Sequence, residues 1–61
     1  MAIDLDVARA ARNLITEHGA VAETIALARA KHAEESNRPG AAHIWRNIAA
    51  AVRRLQNRGD R

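Results

Sequence analysis

The chain has no Cys, no Tyr and no Phe, and its 61 residues include one Pro, one Trp and three Gly. Each absence removes a class of protein. Without Cys there is no disulfide scaffold and no thiol-ligated zinc knuckle. No apolar run approaches the ~18–20 residues of a membrane span. The start of the chain carries neither the apolar stretch nor the basic flank of a secretory signal, so a cytoplasmic location is expected. The three Gly are isolated, which rules out a glycine-rich phosphate loop. Ser36 is the single serine, Thr16 and Thr24 are the only threonines, and none sits in a nucleophile-elbow context. Glu34 and Glu35 project ~100° apart on a helix and do not pair as acid and base. No catalytic residues, cofactor or small-molecule substrate are expected.

What is present is alanine, 15 of them, with Leu, Arg and Glu, all strong helix formers. No segment alternates as a strand does. The breaks fall at Gly19, at Ser36–Gly40 and at Gly59, which divides a single domain (1–61) into helices at about 5–18, 20–35 and 39–57. Asp4 is the expected cap of helix 1, and Gly19 fits the left-handed position after its end. On helix 1, Val7, Ala8, Ala11, Leu14, Ile15 and His18 fall within a ~120° arc. On helix 2, Val21, Ile25, Ala28 and His32 form the expected buried stripe. Leu27 points the other way, as in a helix touching two neighbours. Pro39 suits the first turn of helix 3. There Ala41, Trp45, Ile48, Val52 and Leu55 recur in heptad-like spacing, with Ile44 in the same arc. The short connection makes helices 2 and 3 antiparallel neighbours. The extreme ends, Met1–Ile3 and Arg58–Arg61, are expected to fray.

Size argues for self-association. Ordering the chain costs on the order of 1.5 kcal/mol per residue, or roughly 90 kcal/mol. Burial of roughly 3,500 Å² of apolar area returns about 90 kcal/mol at ~25 cal/mol/Å². A lone copy is marginal, so the expected state is a homodimer forming a helical bundle. Its interface would use Ile44, Trp45, Ile48, Val52 and Leu55. Trp45 fits either a helix crossing in the core or the anchor of that interface.

Charge is uneven. Residues 38–61 carry six Arg against Asp60, while the two preceding thirds are each slightly acidic. Arg46, Arg53, Arg54 and Arg58 lie on helix 3 away from the Ile44/Trp45/Ile48 side, with His43 among them. That face reads either as a nucleic-acid surface or as a solvated helix face whose cations offset the helix dipole. It lacks aromatic residues for base stacking. A helix-turn-helix over residues 5–29 fits poorly, because the following helix has no Arg or Lys before Arg29. No metal site is expected: His18 and His32 fall on apolar arcs, His43 on the basic face, and none has an i, i+4 ligand partner. A His on a buried stripe titrates near neutrality and would make an interface pH-sensitive.

At Leu14-Ile15-Thr16-Glu17-His18-Gly19 and at Trp45-Arg46-Asn47-Ile48 continuing to Ala51-Val52-Arg53-Arg54-Leu55-Gln56, the chain resembles a group of short helical proteins of alphaproteobacteria. Those proteins carry an apolar pair followed by His-Gly near the end of the first helix. Their last helix carries Trp-Arg/Lys-x-Ile and Ala-Val-x-x-Leu-Gln. The resemblance covers about residues 5–56 and implies a bacterial cytosolic helical protein without a transferable activity. Arg53-Arg54 stands where that group tends to carry a Glu pair.

The expected fold is all-α: a small three-helix domain with an antiparallel helix 2/helix 3 hairpin. The expected role is a non-catalytic, self-associating interaction or regulatory module, with an unidentified protein partner also in view. The alternative is a nucleic-acid binder using the Arg face; attachment to a membrane is disfavoured because the apolar face of helix 3 is needed for the core.

Overall fold

The computed structural model describes residues 2–59 and the side chains of residues 7–57. The described residues are helical with no strand. Helix α1 spans Ala2–His18, a single 3-10 turn spans Gly19–Val21, α2 spans Ala22–Glu35 and α3 spans Pro39–Gly59. Among these residues no helix is long and apolar enough to cross a membrane.

The boundaries follow local chemistry. α1 starts three residues earlier than the Asp4 cap implies, so Asp4 falls inside the first turn rather than ahead of it. Nothing in Ala2-Ile3-Asp4 breaks a helix, and acidic residues suit the positive end of the dipole. Gly19 takes a φ of 62°, the left-handed conformation that lets the chain leave α1 without a Cβ clash. The 3-10 turn then displaces the start of α2 to Ala22.

The α2/α3 connection is only Ser36–Arg38. Asn37 adopts a φ of 62°. Its amide donates to the Glu34 carbonyl at 3.1 Å, and the Arg38 amide donates to the Ala33 carbonyl at 2.8 Å. These two bonds make the Schellman motif, with Asn in the position Gly usually fills. The Arg38 carbonyl already accepts the Ala42 amide at 3.0 Å, so Arg38 also caps α3. Pro39 follows as the first helical residue, where its missing amide is harmless.

α3 returns along α2: Gly19 meets Gln56, Arg29 meets Trp45 and Glu34 meets Arg46. α1 packs chiefly on α3. The molecule measures 38 × 27 × 16 Å, a flattened shape in which each helix keeps a long face on solvent.

The core is small in the literal sense. Among the described residues eleven are buried in it; eight are Ala, and the rest are Leu14, Ile48 and Val52. Val7, Ile15, Ile25, Trp45 and Leu55 pack around it, half-buried. The buried face of α2 is Ala22, Ala26, Ala30 and Ala33. This corrects the expected stripe: Val21, Ala28 and His32 are exposed, and only Ile25 of that set reaches the core. Leu27, assigned a neighbour of its own, is 48% exposed. A row of methyl groups lets two helix backbones approach closely, and that proximity decides which side of α2 turns inward.

Candidate functional site

The expected interface set divides by burial. Ile48 and Val52 are 4% and 0% exposed within the chain's own core, so neither offers a surface to a second molecule. Trp45 and Leu55 are half-buried against that core. Ile44 alone is open, at 51%. The reason is geometric: α3 lies against both other helices, and its apolar arc is largely covered within one copy.

The basic residues behave differently. Arg46, Arg53 and Arg54 are exposed on α3. The Arg58 side chain lies outside the described residues. Arg46 is not free, because its guanidinium pairs with Glu34 across the hairpin. Both partners of that pair are about half exposed, so it contributes little to stability.

Packing of α1 on α3 adds two arginines that the linear sequence did not bring to this face. Arg12 and Arg54 line one cleft of about 190 Å³ with Ala8, Ala51 and Leu55. Arg9, Arg12, Ala8 and Asn13 line an adjoining depression of about 250 Å³. The small residues Ala8 and Ala51 keep the floor low between the guanidinium groups. Arg53 is exposed too, but it projects ~100° from Arg54 about the α3 axis and lines neither cleft. The result is a two-helix ridge of Arg9, Arg12 and Arg54. Among the described residues neither Arg12 nor Arg54 has a carboxylate within ion-pair distance. Arg9 and Arg12 are one turn apart on α1 and so lie on the same side of that helix.

The histidines are dispersed. His18 is half-buried with its Nε2 3.8 Å from the Glu17 carboxylate. His32 and His43 are both exposed. Among the described residues no three His, Asp or Glu side chains gather as metal ligands do. Gln56, whose part spacing did not disclose, donates from Nε2 to the Gly19 carbonyl at 2.8 Å and ties the end of α1 to the end of α3. Trp45 carries the Arg29 guanidinium over its ring, 5.0 Å from the centroid.

No protein-family model, curated protein or solved structure matches this chain.

Proposed function

We propose that the chain is a non-catalytic binding module whose ligand is a nucleic-acid backbone, held by Arg9, Arg12 and Arg54. The supporting observation is the cleft shared by Arg12 and Arg54, which gathers guanidinium groups from two helices onto one exposed face. Guanidinium groups neutralise phosphates and release condensed counterions, and their fork geometry suits phosphate oxygens. Arg9 extends the same face along α1, whereas Arg46 is tied to Glu34. The ridge carries no aromatic side chain on which a base could stack. Recognition is therefore of the backbone and indifferent to sequence.

The test is fluorescence anisotropy of labelled single- and double-stranded oligonucleotides at low and moderate salt. The expected result is micromolar binding whose logarithm falls against log salt with a slope of about −2 to −3, since about three phosphates are engaged. Arg12→Glu with Arg54→Glu should weaken it at least about tenfold, or ~1.4 kcal/mol, while the helical circular dichroism is unchanged. Absence of binding at low salt, or indifference to the charge reversal, would sink the reading.

A second reading is a self-associating or partner-binding helical bundle in which three packed helices are the folding unit. It is favoured by Ile44, which stands exposed beside the half-buried Trp45. A dimer on this side would rest on Ile44, Trp45 and Leu55. Sedimentation over a hundredfold concentration range tests it, and a single monomeric species throughout removes it.

A further inference from the structure

We infer that the connection end of the α2/α3 hairpin is a binding site for a small phosphate monoester, separate from the arginine ridge. An open cleft of about 340 Å³ lies there, lined by Arg29, His32, Ser36, Arg38 and Trp45, with Ala33 and Ala41 as its apolar floor. None of these residues belongs to the ridge. The volume is at the small end of ligand pockets, about 300–1,000 Å³, which suits a compact ligand.

The lining selects an anion. Two arginines, an imidazole and a hydroxyl face the cleft, and no Asp or Glu does. Glu34 and Glu35 lie between the lining residues Ala33 and Ser36 in sequence; Glu34 is engaged by Arg46, and Glu35 is exposed outside the lining. Arg29 is held over the Trp45 ring at 5.0 Å, so fixing its guanidinium on a ligand costs less side-chain freedom. Arg38 is fixed at its backbone by the bonds that close the corner. Ala41 brings the N-terminal turn of α3 to the cleft wall, and that turn contains no acidic residue. Its unpaired amides and the positive end of the helix dipole add to the field.

Phosphate fits this set better than carboxylate does. A phosphate monoester presents three terminal oxygens and nearly two charges, enough for two guanidinium forks and a helix terminus together. A carboxylate presents two oxygens and one charge. Ala33 and Ala41 form the side on which the organic group of the ester would lie.

Trp45 is the sole tryptophan, so its fluorescence reads this cleft directly. The full chain is titrated with phenyl phosphate, inorganic phosphate and benzoate at constant ionic strength. Phenyl phosphate should give a saturable change with a Kd of about 1 mM or below; benzoate should bind at least about tenfold more weakly. Inorganic phosphate should fall between them. Arg38→Gln should weaken phenyl phosphate at least about tenfold, because it removes a guanidinium but not the backbone bonds of the corner. Arg53→Gln with Arg54→Gln should leave the titration unchanged. The inference is overturned by no saturable change at ~20 mM ligand, by benzoate matching phenyl phosphate, or by wild-type affinity in Arg38→Gln. It is equally overturned if the Arg53/Arg54 variant loses the response, which would place the anion on the ridge. Oligonucleotide binding and this titration respond to different substitutions, so either can fail without the other.

Discussion

α2 and α3 lie side by side and meet the core in different ways. Every buried residue of α2 is an alanine: Ala22, Ala26, Ala30 and Ala33. α3 buries Ala42, Ala49 and Ala51 too, but it also brings Ile48 and Val52 inside and flanks them with Trp45 and Leu55. Both helices supply small residues, and α3 alone supplies bulk. Leu27, among the most apolar residues of α2, stays 48% exposed. Apolar side-chain size alone therefore misjudges which face of α2 turns inward. Where one helix carries the large residues, its neighbour packs best with its smallest face.

Four substitutions test that division, each read by urea unfolding followed in the far-ultraviolet circular dichroism. Ala26→Leu should have the largest effect, about 3 kcal/mol, because Ala26 is 0% exposed and overpacking would push α2 off α3. A variant as stable as the parent would refute the close approach. Val52→Ala should cost about 2 kcal/mol by deleting methyl groups from the same core without adding any elsewhere. Gln56→Ala should cost about 1 kcal/mol through loss of its bond to the Gly19 carbonyl. Leu27→Lys should change stability by no more than about 0.5 kcal/mol, since that side of α2 is solvated. A concentration-dependent loss from Leu27→Lys would instead reveal a second molecule on that face.

The all-helical class was legible from composition alone, and so were two pieces of punctuation. Gly19 takes the left-handed conformation expected after α1, and Pro39 opens α3. These are local properties, set by residues within one turn of each other. The inward face of α2 was not legible, because hydropathy ranks Val21, Ile25 and Leu27 above alanine while packing distance favours alanine. Asp4 misled for a related reason: its good capping chemistry says nothing of whether the preceding residues also continue the helix. The pairing of Arg46 with Glu34 and the meeting of Arg12 with Arg54 join different helices. So does the cleft spanning Arg29 to Trp45. No periodicity within a single helix encodes such meetings. The arginines of α3 were visible in the charge distribution, but which of them is neutralised depends on where α2 places Glu34.

The Ser36–Arg38 corner acts as a register lock. Arg38 closes the end of one helix and caps the start of the next, so no residue in the joint is spare. One extra residue inserted there would advance α3 by ~100° about its axis if the helix were simply displaced. Val52 would leave the alanine row of α2, and the exposed arginines would turn toward α1 or toward the row itself. Lengthening this joint by one residue is therefore a change of sidedness for the whole C-terminal helix, whereas the same insertion beyond Gly59 would leave every interhelical pairing in phase.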